Sequence, residues 1–203
     1  MNKTKIDWGI PNLYTWNPVV GCKHNCSYCY AKKINDRFHY IENWEDPQFF
    51  IERLTEPNRH KISSTIFVGS MCDLFGEWVP DEWINIVLHV VKDNPQHTLM
   101  FLTKNPKRYH DFVFPRNAII GTTVTGDSKT FYRIDELASN SHGRTFLSIE
   151  PLLGMMDYDL KPFDQVIVGA MTGPGAIKPK QEWIDSIKHP NIFWKPSIKG
   201  GTK

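Results

Sequence analysis

The sequence predicts an α/β fold built on a mostly parallel sheet. Three observations carry that expectation. Short apolar runs of strand length recur along the chain, each followed by a polar turn and then a helical pattern. The runs are apolar almost throughout, so they need cover on both faces, the usual state of parallel strands joined by helices. No internal repeat, low-complexity tract or long linker divides the 203 residues. That length suffices for the core of one full domain, so a single domain over residues 1–203 is expected.

Taken in order, an early strand ends near Pro18-Val19-Val20. A helix is expected through 46–54, with Asp46 as its cap and Pro47 at the first helical position. Ile66-Phe67-Val68 reads as the second strand. Pro80-Asp81-Glu82 opens a helix whose Trp83, Ile84, Val87, Leu88 and Val91 form one apolar stripe. Strands follow at 98–102, 118–120, 145–149 and 165–168, with shorter helices at 128–138 and 179–187, and a last strand at 192–194. A complete or incomplete β/α barrel satisfies this pattern, and so does an open doubly wound sheet. Both place ligands at the carboxyl ends of the strands.

Composition excludes several classes. Hydrophobic residues make up 40% of the chain, with seven Trp and twelve Phe, which argues against global disorder. A formal charge of +2, from 24 basic and 22 acidic residues, is no sequence-wide signature of phosphate-backbone binding, so nucleic acid is neither implied nor excluded. The start MNKTKIDWGIPN has no apolar core of signal-peptide length, and no run approaches the roughly 18 apolar residues of a membrane span. A cytoplasmic protein with no membrane partner is expected.

Four cysteines are too few and too uneven for a disulfide scaffold. Three fall in Gly21-Cys22-Lys23-His24-Asn25-Cys26-Ser27-Tyr28-Cys29-Tyr30-Ala31, directly after the first strand and before a segment able to start a helix. Three thiolates in a short loop can each bind one iron of a cubane and leave the fourth iron open. The amino and carboxylate groups of a methionine moiety can chelate that open iron. The alternative is a structural zinc site, in which Cys26 and Cys29 form one pair and Cys22 with His24 or Cys72 completes the four ligands. On that second reading the chain is a non-enzymatic zinc-stabilised module that binds nucleic acid or protein. Unligated thiols are the third reading.

The spacing Cys22-x₃-Cys26-x₂-Cys29, with Tyr28 before the third cysteine, resembles the defining motif of the radical S-adenosylmethionine superfamily. The blocks at 15–22, 68–75, 102–106, 147–152 and 166–170 are similar to a subgroup of small phage and bacterial members, and together they span most of the chain. This chain departs from that subgroup in the compact spacing of its first two cysteines, and in Gly69-Ser70-Met71 standing where Gly-Gly-Glu is usual. The resemblance implies a partial (β/α)6-type barrel. It also implies one [4Fe–4S] cluster on Cys22, Cys26 and Cys29, and S-adenosylmethionine as second cofactor. Cys72 alone cannot hold a second cluster.

The same resemblance assigns expectations to strand ends. Tyr28, Gly69, Ser70 and Gly169 are expected at the cofactor, Gly69 and Ser70 at its methionine end, with a tight strand exit as the plainer reading. Thr122, Thr123 and Thr125 follow strand four and offer hydroxyls near the cofactor sugar, Thr123 foremost. Lys104 leaves an apolar strand, where an unpaired lysine is costly to bury, so it points to solvent or to a substrate anion. Glu150 ends a strong strand, set to meet ribose hydroxyls or substrate, or to form a structural ion pair. Lys195, with Trp194, either closes the barrel floor or reaches substrate. Trp16 packs behind the cysteine loop, and His24 shapes it. Cys72, three residues past Gly69, is either an inert filler or a hydrogen-atom donor to a substrate radical.

Reductive cleavage of S-adenosylmethionine to methionine and a 5'-deoxyadenosyl radical is the implied chemistry. The radical abstracts hydrogen from a substrate the sequence does not identify, a nucleotide or nucleic-acid-related compound among those considered. An external one-electron reductant such as flavodoxin or ferredoxin is the implied partner.

Overall fold

Strand order decides between the two architectures. In the computed structural model, which describes residues 1–199, one sheet holds eight strands: β1 (Asn2–Lys3), β2 (Leu13–Trp16), β5 (Thr65–Val68), β6 (Thr98–Thr103), β7 (Ala118–Val124), β8 (Thr145–Ile149), β9 (Gln165–Val168) and β10 (Ile192–Trp194). They lie side by side in that same order. The edge pair β1 and β2 is antiparallel, and every later neighbour is parallel. A doubly wound sheet must reverse its order at a switch point. Here each parallel strand adds beside its predecessor, so crossovers of constant hand put the helices on one face and the sheet curls around the other. This is a partial β/α barrel.

The crossing helices are α3 (Asp81–Lys92), α4 (Tyr132–Ala138) and α5 (Gln181–Ser186), and a short α6 (Pro196–Lys199) follows β10. The stripe Ile84, Val87, Leu88 and Val91 is buried as its periodicity predicts, against Ile66, Val68, Leu99, Phe101, Ile120 and Leu147 on the outer strand face. The opposite strand face forms a second, smaller core. Leu13, Phe67, Met100, Phe146 and Ile167 point inward and surround Trp8, carried in by the loop between β1 and β2. The Trp8 ring centroid lies 4.5 Å from that of Phe67 and 5.5 Å from that of Phe146, so this loop plugs the barrel floor. Trp194 packs on the helix-covered face instead, and Phe193 takes the inward position beside the plug.

The helix expected through 46–54 does not form. Val19–Val20 (β3) pairs antiparallel with Gln48–Phe49 (β4), and a 3₁₀ turn at Ile51–Thr55 leads into α2 (Glu56–Arg59). Two causes are visible. Pro18 has no N–H for the barrel ladder, so the chain leaves the sheet after Trp16, and the Pro18 carbonyl accepts from Phe50 N at 2.8 Å. Phe49 stacks on Trp83 at 5.2 Å in the outer core while Phe50 packs into a separate cluster under the cysteine loop, so successive side chains face opposite ways as in a strand.

Candidate functional site

The cysteine loop leaves β3 at the carboxyl end of the barrel and is tied down at both ends. Gly21 has φ +110°, and a side chain there would meet the Pro47 backbone at 2.8 Å, so only glycine fits. Its N–H donates to the Met71 carbonyl at 3.0 Å, and Cys22 N donates to the Trp44 carbonyl at 2.9 Å. At the other end Cys29 caps α1 (Tyr30–Phe38), its Sγ accepting from Lys32 N at 3.3 Å. Asn25, at φ 48°, makes the turn between Cys22 and Cys26. Burial pushes the Cys22 thiol up to about 11, so binding a metal there must displace a proton.

The middle of the loop is held by a buried carboxylate that the sequence did not single out. Asp73 Oδ2 lies 2.7 Å from His24 Nε2, and because a carboxylate only accepts, that nitrogen carries the proton. The same oxygen accepts from Lys104 N at 2.8 Å, while Oδ1 accepts from the Thr103 hydroxyl at 2.6 Å and from Phe75 N at 3.2 Å. Burial pushes the Asp73 carboxyl up, but the His24 hydrogen bond and charge with the Lys104 and Thr103 bonds outweigh it, and the net shift is downward. Asp73 thus joins the cysteine loop to the end of β6. The Trp78 ring stands edge-on to His24 at 4.8 Å.

Above the inner core lies a cavity of about 350 Å³. Cys22, Cys26, Tyr28, Cys29, Gly69, Ser70, Cys72, Lys104, Thr123, Glu150 and Lys195 all line it. Strand parity explains the gathering. Phe67 and Gly69, Leu102 and Lys104, and Ser148 and Glu150 are spaced by two, so each pair shares the inward face of its strand. Thr123 pairs with Ser148 across β7 and β8. Thr122 takes the other parity and donates to the Thr103 carbonyl at 2.8 Å, so only Thr123 of the three threonines reaches the cavity. Thr122 and Thr123 also lie within β7, which runs longer than its apolar start suggests.

Glu150 and Lys195 form an ion pair inside this cavity. Gly169 is not in the lining, but it gives the pair room: a Cβ there would stand 2.8 Å from Glu150 Oε1 and 2.9 Å from Lys195 Cδ. Lys104 makes none of the ion pairs among the described residues. Burial opposes its charge, but Cys26, Tyr28, Asp73 and Cys22 outweigh that and hold the ammonium above its usual range. Burial pushes the Cys72 thiol well up, and its backbone N–H donates to the Gly69 carbonyl at 3.1 Å. Trp16 is fully buried and donates from Nε1 to the Arg53 carbonyl at 2.8 Å, behind the loop.

A sequence-family model described as "Protein of unknown function (DUF5131)" matches residues 3–191. The chain belongs to that family. The match runs from the end of β1 through β9 and stops before β10, so the cysteine loop and the strand-end residues other than Lys195 lie inside it. No curated protein matches the chain. Among solved structures, a spore photoproduct lyase mutant with bound AdoMet and dinucleoside spore photoproduct aligns at 12% identity and a TM-score of 0.49. The alignment covers 74% of this chain and 48% of that one, so this member of the family spans about half the length of the lyase chain.

Among the described residues, no three His, Cys, Asp or Glu side chains gather closely enough to hold a single metal ion. His24 Nε2 is moreover committed to Asp73. A four-iron cluster takes one thiolate per iron, so its ligands stand apart around the body they hold. Cys22, Cys26 and Cys29 on the wall of one cavity fit that demand. No helix among the described residues is long and apolar enough to cross a membrane. Ser148 and Asp73 are the site residues that sequence reading missed. Ser148 was recoverable by counting two residues back from Glu150, whereas nothing in the sequence near Asp73 announces its partners.

Proposed function

We propose that the protein is a radical S-adenosylmethionine enzyme. The observation that carries the reading is the opening of the three motif cysteines onto one cavity at the carboxyl ends of a curled parallel sheet, with polar inner-face residues of the later strands on the same wall. When bound, a [4Fe–4S] cluster on Cys22, Cys26 and Cys29 with S-adenosylmethionine supplies reductive cleavage of the cofactor and a 5'-deoxyadenosyl radical, given one electron from an external reductant such as flavodoxin or ferredoxin.

The chain's own residues supply placement. Gly21, the Asp73–His24 bond and the Cys29 cap fix the loop before a cluster arrives. Glu150, held by Lys195, offers a carboxylate to hydroxyl or ammonium groups of the cofactor, and Thr123 and Ser148 offer hydroxyls beside it. Tyr28, Gly69 and Ser70 close round the cofactor on the loop side. Lys104 presents an ammonium to the cluster's thiolates or to a substrate anion. Cys72 remains a protonated thiol on the cavity wall, so its S–H hydrogen atom can pass to a substrate radical and leave a thiyl radical behind.

Anaerobic reconstitution with iron, sulfide and dithionite tests the reading. About four irons and four sulfides per chain, a brown chromophore and formation of 5'-deoxyadenosine from S-adenosylmethionine are expected. Stoichiometric zinc in a colourless protein that does not cleave the cofactor would reject it.

A further inference from the structure

A second cavity, of about 640 Å³, adjoins the first. Ile6, Tyr30 and Ser70 line both, and the Tyr30 hydroxyl donates to the Ser70 carbonyl at 2.8 Å, so one hydrogen bond stands at the neck between them. Thr15, which lines the second cavity, has the parity of Leu13 on the inward face of β2. The side pocket is therefore the barrel interior continued towards its open β1–β2 edge.

Its chemistry is cationic and aromatic. Glu56 is taken up by the Met1 amine. Arg53 spends one nitrogen on the Asn17 carbonyl at 3.0 Å, and Lys5 makes none of the ion pairs among the described residues. Asn17 Oδ1 is occupied by Ser70 and Met71, which leaves its amide group to donate. Tyr30 and Tyr40 line the pocket, Phe38 lies beside Tyr40, and all three are about half exposed in a chain that buries most of its large side chains. The Arg37 guanidinium lies 5.1 Å over the Phe38 ring, and the Phe38 and Tyr40 centroids are 6.0 Å apart. Uncovered rings flanked by unpaired cations are what base stacking with phosphate neutralisation requires.

We infer that the side pocket is the substrate site and that the substrate carries a nucleotide: phosphate towards Lys5 and Arg53, base against Tyr30 or Tyr40, and its reacting carbon at the Tyr30–Ser70 neck. The assignment rests on the radical reading for which cavity is reactive, but nucleotide binding itself does not need the cofactors. The pocket's size lies within the usual range for a small ligand, about 300–1,000 Å³. The same chemistry is offered by a free nucleotide and by one unit of a single strand.

Equilibrium titration of the cluster-free protein separates these cases. The probes are the four ribonucleoside monophosphates and fluorescein-labelled single-stranded 12-mers of DNA and RNA, at low and at physiological salt. Binding that weakens with salt, and that Lys5→Glu and Tyr40→Ala each weaken about tenfold, is expected. Both side chains are exposed, so circular dichroism of the variants should match the parent. Saturation by monophosphates alone identifies a free nucleotide, and by the 12-mers alone a strand. No binding of any probe at low salt, or binding indifferent to both substitutions, overturns the assignment. A failed cofactor reading would appear instead as missing iron and missing 5'-deoxyadenosine in the parent protein.

Discussion

His24 and Asp73 are 49 residues apart in sequence and 2.7 Å apart in the fold, and their hydrogen bond joins the cysteine loop to the β6 end of the barrel. Because Asp73 titrates below the ordinary aspartate value, its bonds stabilise the fold at all pH above that ordinary value, about 3.9, and the contribution is lost as pH falls through the lower folded value. Asp73→Asn keeps the shape but turns an amide group towards donors. A loss of about 3 kcal/mol at neutral pH is expected, shrinking towards pH 3, when urea unfolding of the cluster-free protein is followed across pH. An equal loss at every pH would remove the carboxylate charge from the explanation.

The four cysteines should separate into three and one. Ala at Cys22, Cys26 or Cys29 removes an iron ligand, so each variant is expected to lose the visible absorption and most of its iron after reconstitution. Cys72→Ala is expected to keep both. Once a substrate is known, cofactor cleavage by Cys72→Ala with diverted product would support hydrogen donation by the thiol, and unchanged product would leave Cys72 as packing.

Glu150 and Lys195 share one wall of the cavity and one ion pair, so their substitutions should not add. Glu150→Gln and Lys195→Met are each expected to weaken S-adenosylmethionine binding to the reconstituted protein about tenfold, and the double variant by little more, as isothermal titration reads. Gly169→Ala drives a Cβ into the flexible ends of both side chains, which must shift, and should reproduce the loss of binding at little cost in stability. A pair that serves only the fold would lower the unfolding free energy and leave binding untouched.

Trp8 closes the barrel floor with only 3% of its surface exposed, and its indole N–H has no hydrogen-bond partner among the described residues. Trp8→Ala empties that space and is expected to cost about 3–5 kcal/mol. Trp8→Phe keeps most of the packing and removes an unsatisfied donor, so its cost should be markedly smaller in the same urea titration. Equal losses would show that the plug does not act through packing.

Sequence by itself located most of the sheet's strands along the chain, because strands covered on both faces leave uninterrupted apolar runs: the strands at 145–149, 165–168 and 192–194 lie where their composition placed them. It also carries the motif on which the proposed cluster rests, since the spacing of Cys22, Cys26 and Cys29 is a local property of eight residues. Tertiary structure alone decided three things. Local periodicity carries no information on strand order, so the choice of a curled sheet over a doubly wound one came from the pairing of each strand with its predecessor. The segment around Gln48–Phe49 has a helix-like start, but pairing with Val19–Val20 and the opposed burial of Phe49 and Phe50 outweigh a weak local preference. The partners of Asp73, and the pairing of Glu150 with Lys195 over Gly169, join residues tens of positions apart. Such contacts exist only once the barrel has brought its strand ends to one rim.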